Sequence, residues 1–313
     1  MLEIKNISVE LKGSDKHFLI LRDVSLSLKK GEIIGIAGES GSGKTILAKT
    51  ILNLISNPVV KTGGEIILDG KPVVTEQDFR NIRGDRISMI FQNPTASLNP
   101  VFTIGDQITE AIRTHHPEIS VKEALSMAEQ LLSEVEIPHP KERLKAYPHQ
   151  LSGGMNQRVM IAIALSSSPE VLIADEPTTA LDVTIQMQII RLLKRLNREK
   201  GLSVIFITHD LELLANTAED CYIMYAGEIM EKLAAKDLKS DNIRHPYTKN
   251  LKACVPQIGE KREYLNTIQG TITFNGNEFD NKCVFAERCG RKTDICVTKK
   301  PEFKNGFCCF NPY

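Results

Sequence analysis

The stretch Gly38-Glu39-Ser40-Gly41-Ser42-Gly43-Lys44-Thr45 carries the clearest chemistry in the chain. It follows the apolar run Ile33-Ile34-Gly35-Ile36-Ala37 and precedes Ile46, Leu47, Ala48, Ile51 and Leu52, so the order reads strand, glycine-rich loop, helix. That is the context in which a P-loop works. Gly41 and Gly43 allow a turn tight enough for several backbone N–H groups to face one anion, and a helix starting near Lys44 adds the positive end of its dipole. Lys44 would bring a point charge to the β- and γ-phosphates of a nucleotide, and the Thr45 hydroxyl a ligand for Mg²⁺. The bland alternative is a glycine-rich turn that caps a helix; both flanks match the nucleotide mechanism instead.

A second set of groups stands at the ends of apolar runs. Val171-Leu172-Ile173-Ala174 leads into Asp175 and Glu176, which describes a buried parallel strand whose C-terminal end carries chemistry. A nucleotide hydrolase needs a Mg²⁺ ligand and a group that positions water. Neighbouring side chains on a strand point to opposite faces, which puts Asp175 near the metal and Glu176 toward the attacking water. His209 follows Ile205-Phe206-Ile207-Thr208 and precedes Asp210, a position from which it would touch the γ-phosphate; a histidine after a strand is otherwise usually structural. A third set is Cys283, Cys289, Cys296 and the pair Cys308-Cys309. Four thiolates suit Zn²⁺ or an iron-sulfur cluster. Their gaps of five, six and eleven or twelve residues are not the tight CxxC pairs of structural zinc sites, and unliganded or oxidised thiols are the other reading. Cys221 and Cys254, in apolar or helical surroundings, read as core.

These groups need elements to hold them. Residues 2–11 and 19–28 alternate apolar and polar around the polar stretch Lys12 to Lys16 and suggest two antiparallel strands. A turn-rich break is expected from Asn53 to Gly64, then a strand Glu65–Leu68 closed by the hairpin signal Asp69-Gly70. Ile87 to Phe91 form a short strand that delivers Gln92 before Asn93-Pro94. The pattern is helical from Ile104 to about Val135, broken at His115-His116-Pro117, with an ordinary core stripe of Ala124, Leu125, Ala128, Leu131, Leu132 and Val135. Leu151-Ser152-Gly153-Gly154-Met155 opens an apolar helix, Val159 to Leu165; Ile185, Ile189, Leu192, Leu193 and Leu196 mark another helix, and Val204–Thr208 another strand. Alternating strands and helices imply a parallel sheet with crossover helices.

Composition narrows the function classes. With 313 residues, 42% hydrophobic and 25% charged, the chain can bury one large core plus a smaller appended part. Lys+Arg and Asp+Glu both total 39, so overall charge favours neither nucleic acid nor an anionic membrane surface. Met1 to Glu10 reads as a first strand and not as a signal peptide. No uninterrupted apolar stretch approaches the roughly 18 residues of a transmembrane helix, so a membrane role would come through partners. Seven cysteines without a signal peptide suit a reducing compartment, where thiols serve as metal ligands more often than as disulfides.

Six motifs together resemble the ATPase subunit of an ABC transporter: Gly38–Thr45 is similar to Walker A, Gln92 to the Q-loop, Leu151 to Met155 to the family signature, Val171–Glu176 to Walker B with its catalytic glutamate, Ala180-Leu181-Asp182 to the D-loop and His209 to the switch histidine. The resemblance covers residues 1 to roughly 235 in the family's motif order. It implies an α/β P-loop cassette with a parallel-sheet core, an antiparallel β subdomain and a helical subdomain at about 94–155, the cassette spanning 1–240 and a small Cys-rich extension 241–313. It implies two cassettes sandwiching two ATP molecules, with Ser152, Gly153 and Gly154 acting in trans and Asp182 beside the shared site. Gln92 would contact Mg²⁺ together with Thr45 and Asp175, and relay the nucleotide state to the segment from Pro94 to Gln150 that docks on membrane subunits.

Narrower stretches resemble the ATPases of oligopeptide, dipeptide and nickel importers: Ile87–Gln92, Ser97-Leu98-Asn99-Pro100, Tyr147-Pro148-His149, Asp175–Asp182, Met224-Tyr225-Ala226-Gly227 and His245-Pro246-Tyr247-Thr248. Asn156 stands where an arginine is common, and Leu11 where an aromatic ring usually stacks on adenine, with Phe18 or His17 as substitutes. For the cysteine tail the resemblance implies a [4Fe-4S] cluster on Cys283, Cys289, Cys296 and Cys309, with Cys308 as the alternative fourth ligand. The implied function is ATP-driven import of di- and oligopeptides, the alternatives being a nickel or metal-chelate importer and, further off, a soluble ABC ATPase acting on ribosomes or DNA. The implied partners are two transmembrane permease subunits, an extracytoplasmic solute-binding protein and a sister ATPase, a heterodimer being favoured over a homodimer, with no nucleic acid. The implied location is peripheral, on the cytoplasmic face of the inner membrane.

Overall fold

The computed structural model describes residues 1–13, 17–179, 181–255, 266–272 and 281–313. Ser14 to Lys16 of the first polar stretch and Ala180 of the D-loop motif therefore lie outside the described residues. In chain order the strands are β1 (Leu2–Lys12), β2 (His17–Leu28), β3 (Ile33–Ala37), β4 (Val59–Leu68), β5 (Lys71–Pro72), β6 (Ile87–Ile90), β7 (Val171–Asp175), β8 (Ser203–Ile207), β9 (Asp220–Tyr225) and β10 (Glu228–Ala234). The helices are α1 (Lys44–Ile51), α2 (Glu76–Ile82), α3 (Pro94–Ser97), α4 (Ile104–His115), α5 (Val121–Glu134), α6 (Pro140–Arg143), α7 (Gly153–Leu165), α8 (Val183–Lys200), α9 (Leu211–Thr217), α10 (Ala235–Ser240) and α11 (Pro246–Ala253). Contacts divide the chain into two parts: residues 1–29, 33–75 and 206–313 form one, and residues 30–32 and 76–205 the other.

In the first part, β2, β1, β4 and β5 form an antiparallel sheet in that order. Leu2 and Ile4, then Ile7 and Val9, are buried on β1. The phase changes because the register shifts between Ile4 and Ile7, where Asn6 takes a φ of 50°, a left-handed conformation that asparagine tolerates and that makes a bulge. Pairing also lengthens β4 beyond the Glu65–Leu68 expectation. Val59, Val60 and Lys61 join Leu11, Glu10 and Val9 of β1, so the turn-rich break ends at residue 58; β-branched residues with a strand to pair with override local turn signals. Asp69 and Gly70, at φ 49° and 75°, make the expected tight hairpin into β5. The same part holds β10, β9 and β3 side by side, with β3 parallel to β9 and wholly buried, as its unbroken apolar sequence requires.

In the second part, β8, β7 and β6 are neighbours, and β6 runs parallel to β7 from the Ile87–Val171 pair to the Ile90–Ala174 pair. Two capping boxes, Thr103 with Asp106 and Ser120 with Glu123, start α4 and α5. The expected break at His115-His116-Pro117 is the connection between them. Ala124, Ala128, Leu132 and Val135 are buried as the stripe predicts, but Leu125 is exposed. Helix α7 is buried on almost every side: its second half, Val159 to Leu165, is apolar throughout, and the buried Asn156 and Arg158 in its first half are hydrogen-bonded. Helix α8 starts at the Asp182 cap and stops at Gly201, whose φ of 66° suits glycine. Among the described residues, no helix is long and apolar enough to cross a membrane.

Candidate active site

The phosphate loop spans the end of β3 and the start of α1. Gly43 sits at the helix start with a φ of 104°, and a Cβ there would come within 2.7 Å of Leu21 Cδ2, so only glycine fits. Lys44 is buried, and its Nζ donates to Gly38 O at 2.8 Å, Glu39 O at 2.9 Å and Ser42 Oγ at 3.3 Å. The ammonium thus lies in the curl of the loop, where a phosphate oxygen could replace its carbonyl partners. Ser42 is buried and its carbonyl accepts from Gly227 N at 3.0 Å, while Ser40 and Gly41 lie exposed at the rim and Thr45 is half-buried on α1. His209 lies exposed between β8 and α9, just before Asp210, whose Oδ1 caps α9 by accepting from Glu212 N and Leu213 N.

Glu39 faces a different way from the rest of the loop. Its N–H donates to the Tyr247 hydroxyl at 3.0 Å, and its carboxylate takes both Nη atoms of Arg288, at 3.1 and 3.0 Å. Tyr247 and Arg288 are contributions that the motif pattern did not single out. Tyr247 lies in the His245–Thr248 stretch and Arg288 directly precedes Cys289, the two signals the sequence offered.

The second part holds the carboxylates. Asp175 ends β7 and is buried. Glu176 follows with a φ of 46°; the left-handed backbone, not strand alternation, sets the direction of its side chain. Its Oε2 accepts from Gln92 Nε2 at 2.9 Å and from Thr179 Oγ1 at 2.8 Å. Thr179 too escaped the motif reading, although it stands within the same run of residues. Ser152 caps α7, its Oγ accepting from Met155 N at 3.3 Å, which leaves Gly153 and Gly154 at the helix N-terminus where N–H groups attract anions. A Cβ on Gly154 would meet Ile185 Cγ2 at 2.6 Å, so α7 and α8 approach as closely as glycine permits. Asp182 Oδ1 accepts from Ile185 N at 3.0 Å and so starts α8.

The tail thiols are near one another. Burial pushes Cys283 up to about 12, and Cys308, Cys296 and Cys309 add to the rise. Burial also raises Cys289, with Cys296 contributing, and Cys309, with Cys289 and Cys296 contributing. Cys308 is raised to about 12, first by burial and then by Glu228. Its thiol donates to Pro301 O at 2.9 Å, whereas Cys309 Sγ accepts from Asn311 N at 3.3 Å. Cys309 is the member of the pair that shares the field of the other three. Among the described residues no group of three or more His, Cys, Asp and Glu is placed to hold a metal ion. The expected cluster set is therefore present as neighbouring thiols with local hydrogen bonds, and not as an assembled ligand sphere. Cys221 is fully buried in β9 as expected, while Cys254 is only half-buried at the end of α11 and is not a core residue.

Residues 21–179 match the protein family described as ABC transporter. This chain belongs to the ABC transporter family. As an ABC ATPase it also matches, over residues 230–296, the family described as oligopeptide/dipeptide transporter, C-terminal region. It is 44% identical to a probable peptide ABC transporter ATP-binding protein, y4tR, of Sinorhizobium fredii, over 96% of this chain and 90% of that protein. It is 42% identical to the oligopeptide transport ATP-binding protein AppD of Bacillus subtilis, covering 96% and 92%, and 42% identical to a probable D,D-dipeptide transport ATP-binding protein, DdpD, of Escherichia coli, covering 92% and 88%. Among solved structures, the ATP-binding cassette MJ0796, dimeric and bound to ADP and Pi in a post-hydrolysis state, superposes with a TM-score of 0.67 at 31% identity, over 75% of this ABC ATPase and 99% of that chain.

Proposed function

We propose that this ABC ATPase energises the import of di- and oligopeptides. The observation that carries the solute class is the match of residues 230–296 to the C-terminal region of oligopeptide/dipeptide transporters; the peptide-transport names of its relatives support the same reading over a nickel importer. We assign residues 1–240 to the cassette, with a helical subdomain at about 94–155, and residues 241–313 to the extension. ATP binds with its phosphates against Gly38 to Thr45, Lys44 exchanging its loop carbonyls for phosphate oxygens. A threonine hydroxyl, an amide oxygen and a carboxylate are hard oxygen donors, so Thr45, Gln92 and Asp175 fit Mg²⁺. Bound there, Mg²⁺ neutralises charge on the phosphates. Glu176 accepts a proton from the attacking water as its oxygen bonds to the γ-phosphorus and the bond to the ADP oxygen breaks. Gln92 and Thr179 hold the Glu176 carboxylate in one orientation, and His209 contacts the γ-phosphate.

Ser152, Gly153 and Gly154 offer their helix N-terminus to the γ-phosphate of the ATP held by a second cassette, with Asp182 adjacent. ATP thus joins two cassettes where ADP does not, and hydrolysis lets them part. The partners are a sister ATPase in a heterodimer, two permease subunits and an extracytoplasmic solute-binding protein, with the chain peripheral on the cytoplasmic face of the inner membrane. Cys283, Cys289, Cys296 and Cys309, with Cys308 as alternative, are soft donors of the type that a [4Fe-4S] cluster takes, and they would have to draw together to hold one. A cluster held by these thiols would tie the tail together. Removing the chain from its cells is expected to abolish uptake of a labelled tripeptide and to spare nickel uptake. Loss of nickel uptake with tripeptide uptake intact would replace the peptide reading.

A further inference from the structure

Two side chains from beyond the cassette close on one residue of the phosphate loop. Each N–H of the Arg288 guanidinium group has a partner, and two of them go to Glu39. Nε donates to Gln269 O at 2.8 Å, Nη2 to Ile268 O at 2.9 Å and Glu39 Oε2 at 3.0 Å, and Nη1 to Glu39 Oε1 at 3.1 Å and the Tyr225 hydroxyl at 3.3 Å. The Arg288 side chain is 6% exposed and that of Glu39 26%, so the pair is largely shielded from water and salt. The guanidinium carbon also lies 5.6 Å from the centroid of the Tyr225 ring. Tyr225 in turn packs against Tyr247 and Phe285, at centroid distances of 4.8 and 5.2 Å. Tyr247 is fully buried, and its hydroxyl takes the Glu39 N–H.

The arrangement fixes the loop at two points. Tyr247 and Arg288 hold residue 39, and Gly227 N holds the Ser42 carbonyl. Between them Ser40 and Gly41 stay exposed. A glycine-rich loop loses much conformational freedom when it is ordered. If that ordering happens on folding, it need not be repeated on binding. A bidentate, charge-assisted contact is the strongest available to two side chains and fixes geometry as well as energy.

We propose that Arg288 and Tyr247 are positioning residues for ATP: they pin Glu39 so that the phosphate loop is shaped before nucleotide arrives. The extension is then part of the nucleotide site's support, although neither residue touches phosphate. This inference rests on the reading of residues 38–45 as the ATP site. Loss of the clamp acts on the free loop, and bound ATP orders the loop itself. The expected signature is therefore a raised KM and Kd for ATP with kcat little changed.

The test uses the full chain and displacement of trinitrophenyl-ATP by ATP. Glu39→Gln keeps Arg288 and its packing in place, and Tyr247→Phe keeps the ring and removes only the hydroxyl. Each, like Arg288→Met, is expected to weaken ATP binding about tenfold, equivalent to about 1.4 kcal/mol, and Tyr247→Phe and Arg288→Met, which lie outside the loop, are expected to keep kcat within about threefold of the parent. The double variant Glu39→Gln/Arg288→Met is expected to match the single variants, because one contact cannot be lost twice. Arg288→Lys, a point charge without the fork, is expected to recover only part of the affinity. Parental ATP affinity in Glu39→Gln and Tyr247→Phe would overturn the clamp, as would fully additive losses in the double variant. Should Arg288→Met fail to fold, the two conservative variants decide. A parent chain that does not bind ATP would instead sink the nucleotide reading, a separate outcome.

Discussion

Glu176 shows what a single residue contributes and how it is held. Its backbone is left-handed, at a φ of 46°, and its carboxylate receives one amide and one hydroxyl. A glutamate in that conformation is strained by of order 1 kcal/mol, and strain of this kind concentrates where a side chain must point in one direction. Glu176→Gln is expected to keep ATP affinity and to lose turnover by about a hundredfold or more, the usual worth of a positioned base. Steady-state ATPase assays check it, and normal hydrolysis would remove Glu176 from its role. A pH dependence arises at His245, whose Nδ1 caps α11 by accepting from Tyr247 N at 3.0 Å. Burial lowers its pKa from 6.5 to about 4. The unfolded chain binds a proton there at a higher pH than the folded chain does. Stability is therefore full above pH 6.5 and falls between 6.5 and 4, by about 3 kcal/mol at most. The nearby Glu231, raised by burial, acts in the opposite sense, its share being present in acid and declining as pH rises. His245→Asn, which can still cap the helix, is expected to flatten the fall in urea midpoint over that range; an unchanged slope would assign it to other groups.

At the scale of elements, the contact of α7 with α8 is a close one that bears on the site. Gly154 has no room for a methyl group, since its Cβ would lie 2.6 Å from Ile185 Cγ2. The clash involves a branch atom near the α8 backbone and not the free end of a long chain. Gly154→Ala is expected to cost about 1–3 kcal/mol as the helices are forced apart. Because the same glycine stands at the N-terminus of α7, the variant is also expected to lose ATPase activity out of proportion to its stability. Urea titration and ATPase assay of one preparation check both. Retained activity at the parental midpoint would mean that Ile185 moves aside freely.

At the scale of the molecule, the tail joins two chemistries within 241–313. Burial, with neighbouring thiols adding to it, raises the pKa of Cys283, Cys289 and Cys309, and Cys283, Cys296 and Cys308 are buried while Cys289 and Cys309 are half-buried. Protein purified without oxygen is expected to carry about four irons and four sulfides per chain and to absorb near 400 nm, an approximate position for thiolate-bound clusters. Cys289→Ser is expected to abolish the absorbance. One zinc, or no metal, would leave the tail a packing element. Even then Arg288, one residue before Cys289, would keep its hold on Glu39, so the clamp and the cluster are separable by experiment.

The sequence alone was enough for the family and for most elements near the site. Walker-type spacing, a buried apolar strand ending in two carboxylates and a glycine pair at a helix start are local patterns, and local patterns persist in a linear reading. Where pairing decided, the reading fell short. The start of β4 at Val59 depends on β1 lying beside it, and neither strand's own residues announce it. Glu39 looked like one more member of a phosphate loop; its partners Tyr247 and Arg288 lie 208 and 249 residues away. The direction of Glu176 likewise depends on a backbone conformation that strand alternation does not foresee. Motif chemistry was thus written into the sequence, because each motif is made by neighbours along the chain. What supports each motif was decided only in the tertiary structure, because the supporting groups are brought together by packing across distances that no periodicity records.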